Sequence, residues 1–322
     1  NRGVAYSDMG DNERAIADLN RAIEINPKFA EAYNNRGKAY SDMGDNERAI
    51  ADYTRAIGIN RKYAEAYNNR GAAYALMGDK ERAIADYTRA IGINPKLAEA
   101  YNNRGAAYAL MGDKEQAIAD FNHALEINPK YAEAYNNRGN AYAAIRDKGR
   151  AIADYTRAIE INPKFADAYY NRGTAYYKMG YKERAIADYT RAIEINPKLA
   201  EAYYNRGNAY YKMGDNERAI ADYNRAIEIN PKDALAYTNR GNAYYNMGYK
   251  ERAIADYNRA IEINPKDAGA YFNKGLACDS LGRFQEAVEA YKNFLSCVSA
   301  GTPGMGDFIE RARQRIKELE GK

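Results

Sequence analysis

Residues 64–81 read AEAYNNRGAAYALMGDKE, and residues 98–115 repeat that string letter for letter. The offset is 34 residues, and it holds along almost the whole chain. Seven full-length copies begin at Ala30, Ala64, Ala98, Ala132, Ala166, Ala200 and Ala234. A truncated copy (residues 1–29) precedes them and a divergent one (residues 268–298) follows. A fixed period of this size marks a solenoid, in which each unit buries its apolar face only against its neighbours. Such an array offers a long surface, suited to holding other molecules rather than transforming them.

Within the copy at residues 30–63, Tyr33, Gly37, Tyr40 and Met43 recur at helical spacing. Gly44 then suits a left-handed helix stop, and Asp45 an N-cap. A second stripe runs Ala49, Ile50, Tyr53, Ile57. Most copies close on Asn-Pro, as at Asn94 and Pro95, and proline cannot continue a helix. Each copy therefore reads as helix, tight turn, helix, turn, with antiparallel helices. Gly37 and its equivalents sit mid-helix, where glycine costs about 1 kcal/mol relative to alanine. Their recurrence predicts close backbone approach between the two helices.

Tyr33, Gly37, Tyr40, Gly44, Ala49, Tyr53, Ala56 and the closing Pro resemble the tetratricopeptide (TPR) signature, with Tyr33 where that family often has Trp. The resemblance covers about nine-tenths of the chain. It implies an all-α, right-handed superhelical solenoid of helix-turn-helix repeats, with first helices lining a concave groove. The array would span residues 1–298, as nine repeats: 1–29, 30–63, 64–97, 98–131, 132–165, 166–199, 200–233, 234–267 and 268–298. A linker at 299–304 and a capping helix at 305–322 follow. Asp307 with Glu310 has capping-box form, and Phe308, Ala312, Ile316 and Leu319 make an apolar stripe. The N-terminal end shows no such cap and no initiator Met, so upstream repeats are expected.

Formal net charge is +4, from 48 basic and 44 acidic residues, too balanced a field to call for nucleic acid or an anionic membrane. No 18-residue apolar run and no signal peptide is visible, which points to the cytoplasm. Cys278 and Cys297 fall at distant heights on the arms of one hairpin, so two reduced thiols are expected. The single His123 has no nucleophile placed beside it, and no metal-ligand cluster or phosphate loop appears. Neither catalysis nor a cofactor is expected.

The candidate site lies on the polar face of the first helix. Asn35, Asn69, Asn103, Asn137, Asn171, Asn205, Asn239 and Asn273, with Asn1 in the truncated copy, form a row present in every repeat. An amide carries a donor and an acceptor side by side, matching the N–H and C=O of an extended peptide. The row resembles the asparagine ladder in the TPR groove of the glycosyltransferase that attaches N-acetylglucosamine to Ser and Thr. That resemblance implies a grip on substrate backbone.

Neighbouring rows divide the chain. Asn34, Asn68, Asn102 and Asn136 give way to Tyr170, Tyr204, Thr238 and Phe272. Ser41, Ala75, Ala109 and Ala143 give way to Tyr177, Tyr211 and Tyr245; Asp42, Leu76, Leu110 and Ala144 give way to Lys178, Lys212 and Asn246. Tyrosines beside lysines suit protein anchoring at low entropic cost, against the alternative that they pack between repeats.

The function read from these rows is a scaffold holding an extended segment of a protein partner. The alternative is a self-assembling module, stacking end to end through an uncapped N-terminal face at Val4, Tyr6, Ile16 and Leu19. RNA binding and a clamp for acidic chaperone tails are both opposed by the acidic row Glu31, Glu65, Glu99, Glu133, Asp167 and Glu201.

Two further expectations concern stability. Arg36 and its equivalents stand inside the apolar arc, where the resembled family usually has Leu, and a buried charge needs a partner. Asp52 on the second helix is the favoured partner, a pairing that would repeat from Arg70–Asp86 through Arg240–Asp256, against the alternative that Asp52 pairs with Arg48 or Arg55 along its own helix. In the fifth repeat Arg146 takes the place of the turn glycine and must adopt a left-handed backbone.

Overall fold

The computed structural model describes residues 2–298 and 304–320. Asn1 lies outside the described residues, as do the side chain of Val4 and residues 299–303 of the expected linker. Among the described residues there are nineteen α-helices and no strand. Eighteen pair into hairpins at the expected places, for instance Ala64–Leu76 with Lys80–Ile93 and Ala234–Asn246 with Lys250–Ile263. The chain divides into two compact units, Asn1–Pro163 and Lys164–Lys322, each a stack of such hairpins.

Local chemistry fixes each hairpin. Gly44 takes φ 80°, which lets Asp45 N–H bond back to the Tyr40 carbonyl at 2.9 Å and closes the first helix. The Asp45 carboxylate then accepts from Arg48 N–H at 3.0 Å and opens the second. At the far end the Asn60 side chain accepts from Lys62 N–H at 3.0 Å, and Asn94, Asn128, Asn196, Asn230 and Asn264 act alike at 3.1–3.2 Å. That side-chain turn explains why asparagine precedes the closing proline.

The core is built from alanines at helix crossings and one ring per hairpin. Tyr53, Tyr87, Phe121, Tyr155, Tyr189, Tyr223, Tyr257 and Tyr291 are all buried. Each ring lies on the mid-helix glycine of its own repeat, so the glycines mark the close approach that their recurrence predicts. Met43, by contrast, ends its helix exposed, so the first apolar stripe stops at Tyr40.

The interhelical ion pairs form in all seven full-length repeats. Arg36 donates Nε and Nη2 to the two oxygens of Asp52, and the six equivalents do the same, all at 2.6–2.8 Å. Arg48 pairs with Asp45 instead. The third guanidinium nitrogen reaches the preceding repeat: Arg36 Nη1 meets Asn20 at 2.6 Å, Arg70 meets Thr54 at 3.0 Å, and Arg240 meets Asn224 at 2.7 Å. One arginine thus ties three helices together. The carboxylate bonds hold the Arg36 guanidinium above its ordinary pKa, while burial pushes the Asp222 carboxyl up.

The ends correct two expectations. Leu19 is 1% exposed, covered with Ala15 and Ala32 by its own and the next hairpin; among the described residues the large apolar side chains left open there are Met9 and Ile25. At the C-terminus the last helix spans Gly306–Glu320, so Asp307 lies inside it rather than at the cap, and Glu310 bonds Arg313. Its buried stripe is Ile309, Ala312, Ile316 and Leu319. Phe308 is 45% exposed and meets Phe272 edge-on at 5.1 Å. The helix packs on Phe284–Cys297, and Arg315 holds both oxygens of Asp279. Cys278 and Cys297 are free thiols.

Arg146 takes φ 64°, the one non-glycine residue with positive φ among those described. The turn keeps its shape, with Asp147 N–H on the Tyr142 carbonyl at 2.9 Å. Arg146→Gly is therefore expected to stabilise the protein by about 1 kcal/mol and to slow amide exchange over residues 143–152. Exchange there that is already as slow as in the neighbouring repeats of its unit counts against the strain.

Candidate functional site

The asparagine row sits where the first helices of successive repeats meet, and its amides are engaged. In the N-terminal unit Asn69 donates to the Asn34 side-chain carbonyl at 3.1 Å, Asn103 to Asn68 at 3.1 Å, and Asn137 to Asn102 at 3.1 Å. The acceptors Asn34, Asn68 and Asn102 are themselves buried, as is Asn136, so this row is not a wall of the site. They pin one repeat to the next. In return Asn34 and Asn68 donate weakly to their own neighbours Asn35 and Asn69, at 3.4 and 3.5 Å. A place on the polar face does not leave the ladder amides exposed: all eight described members, Asn35 through Asn273, are half-buried.

In the C-terminal unit the acceptors change with the sequence. Asn205 donates to the Tyr170 hydroxyl at 3.0 Å. Asn239 donates to the Tyr204 hydroxyl and to Asn208 Oδ1, both at 3.0 Å. Asn273 donates to Asn242 Oδ1 at 2.8 Å. The rings of Tyr170 and Tyr204 also lean on Tyr189 and Tyr223, at centroid distances of 5.9 and 6.1 Å. Through their hydroxyls these two tyrosines are tied to the next repeat, while each ring contact stays within its own repeat. Burial pushes both phenols above their usual pKa, most strongly opposed at Tyr170 by Thr174 and at Tyr204 by Asn208.

Tyr177, Tyr211 and Tyr245 stand about two helical turns further along and are half-buried. The Tyr211 hydroxyl accepts from Asn246 Nδ2 at 3.1 Å. Lys178 and Lys212 are exposed, and the Lys212 ammonium lies 6.0 Å from the centre of the Tyr211 ring. Tyr211, Tyr245, Asn242, Asn246, Asn273 and Leu276 enclose a cleft of about 280 Å³, floored by Tyr257. The acidic row Glu31, Glu65, Glu99, Glu133, Asp167 and Glu201 is exposed at the start of the first helices.

Sequence reasoning missed the acceptors of the ladder. The signal was the Asn-Asn dipeptide in each N-terminal copy and its change to Tyr-Asn at Tyr170 and Tyr204. His123 is exposed, 3.2 Å from Glu126, with its ring tilted against Tyr101 at a centroid distance of 5.4 Å. Among the described residues no group of three or more His, Cys, Asp or Glu is placed to hold a metal ion, and no helix is long and apolar enough to cross a membrane.

A TPR repeat model matches residues 3–44, 39–78, 149–180, 183–214 and 207–248, and tetratricopeptide repeat models match 64–97, 98–131, 121–153, 167–198, 234–267 and 256–289. The chain belongs to the tetratricopeptide repeat family. Among solved structures this TPR chain is similar to a TPR protein from Parabacteroides merdae, at 24% identity over 77% of this chain and 98% of that one, with a TM-score of 0.55. It is also similar to a chain of the APC/C hetero-tetramer Cut9–Hcn1, at 17% identity over 98% of this chain and 60% of that one, with a TM-score of 0.60. Both likenesses concern the fold. YrrB, a TPR protein with an unusual peptide-binding site, is 26% identical over 57% of this chain and 95% of its own, with a TM-score of 0.47. No curated protein matches the TPR chain by sequence.

Proposed function

We propose that this TPR protein is a scaffold that holds an extended segment of a partner protein along the first-helix face. TPR arrays are typically protein-interaction scaffolds, so the class is set by the family. The observation that carries the finer reading is the state of the ladder amides in the C-terminal unit. Asn205, Asn239 and Asn273 each spend the NH2 on the protein itself, at 2.8–3.0 Å. Those bonds fix which way each amide points, on side chains that are half-buried, and the carbonyl oxygen is the group left to accept, once per repeat. A row of oriented acceptors suits the backbone N–H groups of a strand-like segment, and orientation fixed in advance lowers the cost of binding. Tyr177, Tyr211 and Tyr245 flank the row as anchors for side chains, and Lys178 and Lys212 add a basic margin. Within the N-terminal unit Asn35, Asn69, Asn103 and Asn137 make a row of their own that would grip in the same way, and Asn171 belongs to the C-terminal row.

The test is a random peptide library panned on the full chain. Selected peptides should bind with Kd values that weaken about tenfold for Asn239→Ala and for N-methylation of alternate peptide nitrogens. Because Asn239 also joins two repeats, the variant should lose about 1–2 kcal/mol of stability as well, so affinity is read per folded molecule. A library that yields no binder, or binders indifferent to Asn205→Ala, Asn239→Ala and Asn273→Ala, would sink the proposal.

A further inference from the structure

The cleft between the seventh, eighth and ninth repeats has a hydrogen-bonding pattern that specifies a ligand group. Asn242 Oδ1 accepts two bonds, from the Tyr257 hydroxyl at 2.9 Å and from Asn273 Nδ2 at 2.8 Å. Those two hydrogen bonds assign Oδ1 to that side of the amide, so its NH2 is the group left for a ligand. Asn246 spends its Nδ2 on the Tyr211 hydroxyl at 3.1 Å, which leaves Asn246 Oδ1 as an acceptor and the Tyr211 proton as a donor. Asn273 likewise keeps its Oδ1. The cleft therefore offers amide N–H from Asn242, hydroxyls from Tyr211 and Tyr245, and two amide carbonyls from Asn246 and Asn273, with no charged residue in its lining.

We infer that this cleft is a subsite for an uncharged carboxamide side chain, Gln or Asn, on the bound segment. A carboxamide oxygen takes the donors, and its NH2 serves the two carbonyls. An ammonium group satisfies only the carbonyls and finds no counter-charge; a carboxylate has nothing to give them. Sequence explains why the subsite falls here. The position held by Lys178 and Lys212 in the sixth and seventh repeats is Asn246 in the eighth, which removes the cation and supplies the acceptor. Lys212 itself stays outside the lining, over the Tyr211 ring. This subsite rests on the reading of the first-helix face as a peptide-binding surface, and deepens it.

The experiment uses the same library on two proteins, the wild type and Asn246→Lys. Asn246 is exposed, and Lys occupies the equivalent position in two other repeats, so the variant is expected to fold as the wild type does. Wild-type binders should share Gln or Asn at one fixed position, and changing that residue to Glu should weaken them about tenfold. Binders of Asn246→Lys should carry Glu or Asp there, with the Gln-to-Glu preference reversed. Side-chain NH2 resonances of Asn242 should shift on adding a wild-type binder, whatever the variant does. Peptides that bind through the ladder without any preference at one position overturn the subsite and leave the scaffold reading standing. A preference for Glu in the wild type, or one that Asn246→Lys leaves unmoved, also overturns it. No peptide binder at all overturns both.

Discussion

Asp120→Ala is expected to cost the protein about 3 kcal/mol, the loss typical of breaking one side of a buried ion pair. Asp120 is 4% exposed and receives Arg104 Nε and Nη2 at 2.8 and 2.7 Å. The same guanidinium holds Thr88 of the preceding repeat at 3.0 Å. Removing the carboxylate strands a cation that is itself mostly covered, beside a phenol ring at 5.8 Å whose attraction cannot replace a charge. The companion is Arg104→Leu with Asp120→Ala, which removes both charges and should recover most of the loss, because a well-packed apolar pair often matches a buried ion pair. The ninth repeat already lacks both members, with Lys274 and a buried Ala290 in their places. Because stability in an array is local, the effect is best read as amide exchange in the third and fourth repeats alongside the chemical melt. A loss below ~1 kcal/mol for the single variant would mean that water screens the pair as it does a surface bridge.

The pairing was legible because it lies inside one repeat. Arg36 and Asp52 are 16 positions apart across a single turn, and a helical wheel plus the cost of a buried charge brings them together. Contacts between repeats follow a different geometry, set by how one hairpin rests on the next, and no periodicity within a repeat encodes it. So the Nη1 bond to Asn20, the Asn69–Asn34 bond and the covering of Leu19 were all out of reach. The ladder shows the consequence for function. Its recurrence was plain, and its position on the first helix was read correctly, but whether an amide faces a ligand or a neighbouring repeat turns on a partner 35 residues away. Register errors at the last helix have a similar origin. Phe308 and Ile309 are adjacent apolar residues, and which one goes inside depends on where the helix starts; it starts at Gly306, which buries Ile309.

Gly71→Ala is expected to destabilise the protein by about 1–3 kcal/mol, although alanine is the better helix former by about 1 kcal/mol. The added Cβ would lie 2.8 and 2.9 Å from Cε1 and Cδ1 of Tyr87 and 3.1 Å from the Ala83 carbonyl oxygen. The Tyr87 ring cannot swing away, because it is 2% exposed and wedged between Ala83 and Ala107. Relief must come from separating the two helices of the hairpin, and the Arg70–Asp86 bonds of 2.7 and 2.8 Å span that same gap. Strain at the glycine should therefore weaken the ion pair beside it, and Gly71→Ala with Asp86→Ala should fall short of the sum of the two single losses. Gly92 is the control within the same repeat. It lies on the second helix with nothing within 4 Å of a built Cβ, at the position where other repeats carry Glu160, Glu194 and Glu228. Gly92→Glu should raise stability by about 1 kcal/mol, through helix propensity and an i,i+3 pair with Arg89 of the kind Arg157 makes with Glu160. Thermal and urea melts of the two variants should move in opposite directions. If Gly71→Ala melts with or above the wild type, the helices have room to spare at the crossing, and the recurring glycine needs another cause.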